Sequence, residues 1–346
     1  MDTNGSNNLI TLEDLQVYYR IAGGILADDK IVKAVDGVSL DIKRGETLGL
    51  VGESGCGKST LGKAILRLTE PTAGKVFFKG NDLAHLPQKA MREHRRHLQM
   101  IFQDPYSSLN PRMNVGQIIA EPIRTFGLTY GESIESMVGD LMETVGLSRR
   151  FLTRYPHEFS GGQRQRIGIA RALAVDPEFI VADEPISALD VSIQAQIMNL
   201  MEKLQAEKNL TYLFISHDLR AIRHLSDRVA VMYLGRIVEL ASGKNIYDDP
   251  LMPYTKALIS AVPVPDPAIE ATRERIILQG DVPSPINPPT GCHFHTRCVY
   301  AIEECKQIVP QLVEIKPLHR AACIRINSEH PHIEQNAEAG MRAIGK

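Results

Sequence analysis

The stretch "GESGCGKST", from Gly52 to Thr60, constrains the fold more than any other part of the sequence. It follows the apolar run "LGLV", which predicts a strand, and it precedes apolar residues at helical spacing. Three glycines around one lysine leave backbone N–H groups free to face an anion, and the following helix adds its positive end. The spacing matches the phosphate-binding P-loop, G-x-x-x-x-G-K-[ST]. We therefore expect a strand, a loop and a helix that bind a nucleotide.

The loop residues have separate expected roles. Lys58 reaches the β- and γ-phosphates, and the Ser59 hydroxyl completes the coordination of a Mg²⁺ ion. The competing interpretation, a glycine-rich loop that precedes a helix by chance, is weakened by the strand and helix on either side. The residues expected to contact nucleotide here are Gly52, Ser54, Gly55, Cys56, Gly57, Lys58, Ser59 and Thr60.

Two later apolar segments, "EFIVADEP" and "TYLFISHD", end in acidic or imidazole groups. Each is too short for a buried helix, so we predict central parallel strands with chemistry at their carboxyl ends. Asp183 is expected to hold Mg²⁺, and Glu184 to polarise an attacking water. His217 is interpreted as a γ-phosphate partner, since it follows a third central strand; a lone histidine is more often structural. Gln103, at the end of "QMIFQ", does not by itself indicate a function.

The segment "FSGGQRQRIGIARAL", residues 159–173, predicts a second anion-binding turn at a helix start. One chain with one P-loop has no obvious use for two phosphate cradles, whereas two chains that face each other do. Each chain would then close the nucleotide site of the other. The alternative, an ordinary N-cap with flexible glycines, is reasonable for "SGG" alone. This alternative is much weaker here, because the segment comes just before a predicted strand that ends in acidic residues.

The order of P-loop, Gln103, "FSGGQ", "FIVADEP", "SALD" and His217 resembles the ATPase subunits of ABC transporters, from about residue 9 to residue 240. The resemblance implies that Glu184 is the catalytic base and that His217 is the switch histidine. It also implies that Gln103 couples the γ-phosphate and the metal to the membrane subunits. The implied Mg²⁺ ligands are Ser59, Gln103 and Asp183.

The same resemblance implies contacts across a dimer of two ATPase subunits. ATP held by the opposing subunit would be met by a turn of four residues, and Asp190 of "SALD" would cross the same interface. Tyr19, with Tyr18 as the alternative, falls where the family stacks an aromatic ring on adenine. The four residues of the turn are Ser160, Gly161, Gly162 and Gln163.

The fold implied is an α/β P-loop ATPase core with an antiparallel β subdomain and a helical subdomain at about 104–175. We expect the ATPase domain to span 1–247, a C-terminal extension 248–326, and a polar tail 327–346. The lead-in segments "LITLEDLQVYY", "KAVDGVSLDI" and "ETLGLVG" predict short strands at a sheet edge. "RVAVMYLGRIVELA" predicts a hairpin that turns at Gly235.

The Pro-rich composition from about Asp248 marks an appended segment rather than a continuation of the doubly wound core. "DPLMPYTKALISAVPVPDP" and "GDVPSPINPPTGCHFHTRC" resemble the extension of ATPases from oligopeptide/dipeptide importers, and "GESGCGKST" with "DPYSSLNPRM" resembles the second ATPase of such systems. That family implies import of di- or oligopeptides across the cell (inner) membrane, powered by a paralogous or identical ATPase pair at its cytoplasmic face. It also implies two membrane permeases and an external peptide-binding protein. Nickel chelates and glutathione are alternative cargoes.

Four cysteines crowd into the extension at the spacing C-x5-C-x6-C-x17-C, which matches neither zinc ribbons nor bacterial ferredoxins. Members of the resembled family carry a [4Fe–4S] cluster at such cysteines, so this cofactor is expected. Zinc, with His293 or His295 recruited, is the second alternative and free thiols are the third. The cysteines are Cys292, Cys298, Cys305 and Cys323.

Two other function classes are weighed against the importer. A soluble ABC ATPase that acts on nucleic acid or ribosomes usually carries two fused ATPase halves or a long coiled coil, and this chain shows neither. Its net charge of −2 also offers no basic field, so no nucleic-acid partner is expected. A redox-responsive regulatory subunit would make the cysteines primary and ATP turnover secondary. The polar start of the chain lacks the pattern of a signal peptide.

Overall fold

The computed structural model of the protein describes residues 7–23, 29–129, 131–263 and 275–333. The strands are β1 (Asn8–Ile21), β2 (Lys30–Lys43), β3 (Thr47–Val51), β4 (Ala73–Phe78), β5 (Asn81–Asp82), β6 (Leu98–Ile101), β7 (Phe179–Asp183), β8 (Thr211–Ile215), β9 (Arg228–Tyr233), β10 (Arg236–Ser242), β11 (Val313–Lys316) and β12 (His319–Ala321). The helices are α1 (Lys58–Ile65), α2 (Gln88–His94), α3 (Val115–Phe126), α4 (Ile134–Thr144), α5 (Gly161–Leu173), α6 (Val191–Lys208), α7 (Leu219–Leu225), α8 (Gly243–Asp248) and α9 (Pro253–Ser260). Short 3₁₀ turns lie at Arg149–Phe151, Pro156–Glu158, His295–Arg297 and Glu303–Lys306.

The main sheet has eight strands in the order β11-β12-β10-β9-β3-β8-β7-β6. Within it, β6, β7, β8, β3 and β9 are neighbours that run parallel. Every residue of β3, β7 and β8 is buried, as expected for parallel strands covered on both faces. The predicted central strands "FIVAD" and "TYLFI" are therefore confirmed, and their carboxyl ends meet at one edge.

The second sheet is antiparallel and has the order β2-β1-β4-β5. Its first two strands are 14 residues each and pair along most of their length. The expected antiparallel subdomain is present. The prediction that the whole lead-in forms short edge strands is wrong, because "TLGLV" forms β3 in the middle of the main sheet. Its apolar residues do not alternate with polar ones, which is the pattern of a strand buried on both faces.

Helices α3, α4 and α5 lie between β6 and β7 in the chain, within the range expected for the helical subdomain. They pack through buried apolar residues such as Ile119, Val138 and Ile167. Asn114 caps α3 in a capping box with Gln117, and Ser133 caps α4. The hairpin predicted at Gly235 joins β9 to β10, and Gly235 has the left-handed φ of 79° that this turn requires.

The C-terminal extension joins the edge of the main sheet through antiparallel strands. Strand β12 pairs with β10, and β11 pairs with β12, so the extension adds two strands. The buried carboxylate of Glu239 on β10 binds the extension at three points. It accepts hydrogen bonds from the backbone N–H groups of Leu251 (2.7 Å) and Met252 (3.0 Å), and it lies 2.7 Å from Nε2 of His319.

The predicted tail 327–346 is described only as far as residue 333, and its remainder lies outside the described residues. Among the helices that are described, none combines the length and the apolar character needed to cross a bilayer.

Glu178, which immediately precedes β7, carries an acid-sensitive part of the stability. Burial raises the pKa of its carboxyl, but hydrogen bonds from Lys79 and Arg44 outweigh burial and lower the pKa. A lowered folded-state pKa stabilises the fold above the unfolded value, about 4.3, and this stabilisation is lost as the pH falls through the folded value.

Glu178→Gln is therefore expected to lower the free energy of unfolding by about 1 kcal/mol at neutral pH. The difference from wild type should shrink as the pH falls below the unfolded value of about 4.3. Thermal unfolding at several pH values measures both effects, with the exposed Glu207→Gln as the control. A destabilisation that is constant with pH would contradict the assignment.

Candidate functional site

Four neighbouring parallel strands bring the predicted site residues to one edge of the main sheet. The P-loop follows β3, His217 follows β8, Asp183 and Glu184 stand at the end of β7, and Gln103 follows β6. Because the strands are adjacent and parallel, their carboxyl ends lie side by side. Groups from distant parts of the chain are thereby gathered where an α/β sheet binds its ligands.

The P-loop conformation depends on glycine at the start of α1. Gly57 has a φ of 110°, and a Cβ atom there would lie 2.0 Å from the carbonyl oxygen of Ala34. The Lys58 side chain is buried and folds back over the loop, where Nζ donates to the carbonyl oxygens of Gly52 (2.8 Å) and Glu53 (3.0 Å). The lysine is thus held at the place where phosphates would enter.

The remaining loop residues lie where the sequence predicts. Ser54 and Gly55 are on the loop surface, and a Cβ on Gly55 would meet open space. Cys56 is buried, and its carbonyl oxygen accepts a hydrogen bond of 2.9 Å from Gly235. Thr60 lies in the first turn of α1. Cys56 therefore acts as a small packing residue beneath the loop.

Ser59 and Asp183 form an oxygen pair suited to a magnesium ion. The Ser59 hydroxyl donates to Oδ1 of Asp183 over 2.8 Å. The Asp183 side chain is buried, and burial raises the pKa of its carboxyl. A hard divalent cation prefers such oxygen ligands, and its charge would offset the burial of this carboxylate. The residues therefore fit the ion that a P-loop requires.

Glu184 is held by two other predicted site residues. Its Oε2 accepts a hydrogen bond from Nε2 of Gln103 at 3.2 Å and lies 3.0 Å from Nδ1 of His217. Its backbone N–H donates to the carbonyl oxygen of Ile215 at the end of β8 (2.9 Å). Glu184 also has a φ of 45°, a left-handed conformation that a non-glycine residue adopts at some energetic cost. Such strain concentrates at functional sites.

The second glycine turn is separate from the first and lies at the start of α5. The Ser160 hydroxyl caps the helix by accepting from the Gln163 N–H, while Gln163 Oε1 accepts from the Ser160 N–H (3.1 Å). A Cβ on Gly162 would lie 2.4 Å from the Ile193 side chain, so only glycine lets α5 approach α6 this closely. Asp190 caps α6 by accepting from the Ile193 N–H at 3.0 Å. The turn and "SALD" are thus packed together as one surface.

The two candidate aromatic residues on β1 differ in their surroundings. The Tyr18 hydroxyl donates to the Asp36 carboxylate at 2.5 Å, and Arg236 also donates to Asp36. The Tyr19 ring is 41% exposed, which leaves it available to stack on a base. Tyr19 is therefore the better adenine candidate of the two.

The four cysteines of the extension line one small cavity of about 20 Å³. All are free thiols, and burial raises the pKa of Cys292 to about 11 and that of Cys298 to about 12. Within the described part of the chain, no three or more His, Cys, Asp or Glu side chains are arranged as a metal-binding group. The four cysteines of the expected [4Fe–4S] or zinc site therefore line the same cavity, but they are not arranged as metal ligands.

Two contacts of the P-loop with the C-terminal extension have no signal in the sequence. Arg297 of the extension forms a two-point ion pair with the Glu53 carboxylate, and the Tyr254 hydroxyl of α9 accepts from the Glu53 N–H at 3.0 Å. Arg297 is 244 positions from Glu53, so no local pattern signals the contact. Tyr254 belongs to a buried aromatic group with Tyr233 and Phe294.

Comparisons with known proteins show the family to which the chain belongs. A family model described as ABC transporter matches residues 35–187, and one described as oligopeptide/dipeptide transporter, C-terminal region, matches residues 238–305. A putative oligopeptide transport ATP-binding protein, YkfD of Bacillus subtilis, is 57% identical over 89% of this chain and 92% of its own length. The chain belongs to the ABC transporter family.

Further relatives of this ABC transporter ATPase extend the match. The oligopeptide transport ATP-binding protein AppF of Bacillus subtilis is 54% identical over 93% of this chain and 99% of its own. A solved dimeric ATP-binding cassette, MJ0796, in a post-hydrolysis state with ADP and Pi, has a TM-score of 0.61 and 29% identity. It covers 67% of this chain and 98% of its own. The resemblance stated from the sequence and the α/β ATPase fold are confirmed.

Proposed function

We propose that this ABC transporter ATPase hydrolyses ATP to power the import of di- or oligopeptides across a membrane. The observation that carries the proposal is the Glu184 carboxylate, joined to Gln103 and His217 at the sheet edge beside the P-loop. The oligopeptide/dipeptide family match at residues 238–305 supports the peptide cargo. Nickel chelate or glutathione remain alternative cargoes, since the external binding protein selects what is carried.

Nucleotide binding is assigned to the loop between β3 and α1. The backbone N–H groups of residues 52–60 and the ammonium of Lys58 bind the phosphates, and Tyr19 stacks on the adenine. Lys58 already contacts two loop carbonyl oxygens, so it exchanges these hydrogen bonds for phosphate oxygens. Ser59, Asp183 and Gln103 would hold a Mg²⁺ ion, which would supply positive charge to neutralise the phosphates.

The chemical step is assigned to Glu184. Its carboxylate accepts a proton from the water that attacks the γ-phosphorus atom, and the bond to the bridging oxygen of ADP breaks. The His217 ring lies 3.0 Å from Glu184 and contacts the γ-phosphate when ATP is present. The Gln103 amide, 3.2 Å from the same carboxylate oxygen, orients Glu184 and senses the γ-phosphate.

Two ATPase subunits are proposed to share their nucleotide sites. The turn Ser160–Gly162, with Gln163 and Asp190, closes on ATP that the partner's P-loop holds. The support is that the two glycine turns lie on different helices, α1 and α5, and that the related cassette MJ0796 is dimeric. A paralogous ATPase is the proposed companion, with a second copy of this chain as the alternative.

The proposed assembly contains two membrane permeases and an external peptide-binding protein, with this chain at the cytoplasmic face of the membrane. The proposed domains are the ATPase at 1–247, the extension at 248–326 and the tail at 327–346. Purification after mild detergent extraction, followed by mass spectrometry, tests the assembly. Two polytopic permeases are expected; co-purifying RNA or DNA without them would contradict the importer.

The four-cysteine cavity is proposed to hold a [4Fe–4S] cluster, with zinc as the alternative. The support is chemical: the four cysteines line one small cavity, and thiolates suit both groups. Burial raises the pKa of the Cys292, Cys298 and Cys323 thiols, so a bound cation is needed to hold these three as thiolates. The cluster would stabilise the extension by joining residues 292–323.

Anaerobic purification is therefore expected to give a brown protein. Its visible spectrum should show the absorbance of an iron–sulfur cluster, and an iron assay should find about four irons per chain. Cys298→Ser should lower the iron content and the melting temperature, because one ligand and its cross-link are lost. Cys56→Ser, at a thiol outside the cavity, is the matched control and should keep the iron. A wild-type protein without iron or zinc would contradict the assignment and leave free thiols.

A further inference from the structure

The residue that joins the C-terminal extension to the P-loop is Glu53. Both oxygens of its carboxylate accept hydrogen bonds from Arg297, Oε2 from Nη1 at 2.6 Å and Oε1 from Nη2 at 3.0 Å. The Arg297 side chain is only 7% exposed, and its guanidinium lies 6.0 Å from the centre of the Tyr233 ring. The two parallel hydrogen bonds of the planar guanidinium fix the position of the Glu53 carboxylate, and its positive charge neutralises that carboxylate.

The backbone of Glu53 continues this connection into the site. Its N–H donates to the Tyr254 hydroxyl at 3.0 Å, and its carbonyl oxygen accepts from Lys58 Nζ at 3.0 Å. Residues of the extension therefore hold Glu53 through its side chain and its N–H, while its carbonyl oxygen holds the phosphate-binding lysine. A shift of Glu53 would move the lysine contact with it.

The charge of Glu53 matters because of where it stands. A carboxylate inside a loop that binds a triphosphate opposes the binding of that anion unless a nearby cation neutralises it. Arg297 supplies this cation, and its side chain is buried against a Glu53 carboxylate that remains 26% exposed. The ion pair thus does more than attach the extension to the ATPase core.

We propose that Arg297 is a positioning residue for ATP binding, which neutralises and orients Glu53 so that the P-loop accepts a triphosphate. The extension thereby sets the nucleotide affinity of the ATPase. This inference rests on the proposed function, because it takes ATP as the ligand of the P-loop.

The test is the equilibrium affinity of the full-length chain for Mg²⁺-ATP in a four-variant cycle. Arg297→Met keeps a long side chain, removes the charge and is expected to weaken binding about tenfold. Glu53→Gln is expected to tighten binding, because the loop loses a negative charge while Arg297 keeps its positive charge. The double variant should return to within about threefold of wild type.

Salt and folding controls separate electrostatics from packing. The loss in Arg297→Met should shrink as ionic strength rises, which a packing defect would not do. If Arg297→Met fails to fold, Arg297→Gln replaces it, because glutamine keeps a hydrogen-bond donor without the charge. The same loss and the same rescue by Glu53→Gln are then expected.

The results that overturn the inference are distinct from those that overturn the proposed function. Wild-type affinity in a folded Arg297→Met chain, or a loss that Glu53→Gln does not rescue, contradicts the role of Arg297. A wild-type chain that binds no ATP contradicts the proposed function itself.

Discussion

Glu184→Gln is expected to lower the rate of ATP hydrolysis about 10²- to 10⁴-fold while ATP binding is retained. The amide has nearly the same shape as the carboxylate and keeps an oxygen near Gln103 and His217, but it cannot accept the proton of the attacking water. Steady-state phosphate release measures the rate, and equilibrium binding of ATP measures the affinity. Because this variant binds ATP but does not hydrolyse it, ATP stays bound to the chain.

The control for this substitution is Glu178→Gln, just before the amino end of the same strand, β7. It makes the same chemical change away from the P-loop edge and is expected to leave turnover near the wild-type rate. A Glu184→Gln chain that hydrolyses ATP at the wild-type rate would show that another group takes the proton.

Lys58→Ala is expected to weaken ATP binding and to lower turnover by about 100-fold or more. The ammonium is buried between the carbonyl oxygens of Gly52 and Glu53, where it is placed to meet the phosphates with little reorganisation. Alanine leaves those carbonyl oxygens facing the triphosphate with no compensating cation. Binding of Mg²⁺-ATP and phosphate release are both measured.

Lys203→Ala is the matched control for the lysine. Its ammonium lies on the exposed side of α6, 3.7 Å from Glu207, and away from the P-loop. Its removal should change neither ATP affinity nor turnover. If Lys58→Ala binds ATP as tightly as Lys203→Ala does, the P-loop does not bind the nucleotide through Lys58.

The local patterns were sufficient to predict the parts of the site that lie within single segments. The loop "GESGCGKST" and the apolar strands before Asp183 and His217 each carry their own spacing or their own run of buried residues. Parallel strands covered on both faces need continuous apolar sequence, so they are readable from the sequence. Adjacency of their carboxyl ends then follows from the sheet order.

Contacts between distant segments could not be predicted in the same way. The pairing of β12 with β10 and the Arg297–Glu53 ion pair depend on tertiary packing, and neither partner shows a periodic or spaced signal. The Pro-rich composition near Asp248 gives no sign that β11 and β12 join the main sheet. The central position of β3 is missed because its segment is grouped with the edge strands that precede it in the chain.

The central claim is that each nucleotide is closed between one chain's P-loop and another chain's turn at Ser160. Ser160→Glu tests the turn: a carboxylate at a helix N-terminus is compatible with α5, but it repels a γ-phosphate. Ser133→Glu makes the same change at the N-cap of α4 and serves as the control.

Sedimentation velocity of the Glu184→Gln chain, with its companion ATPase present, gives the most direct measurement. We expect Mg²⁺-ATP, but not ADP, to drive pairing, and we expect Ser160→Glu to abolish this pairing while Ser133→Glu preserves it. Chains that remain single in the presence of ATP, or that pair equally well with Ser160→Glu, would contradict the account.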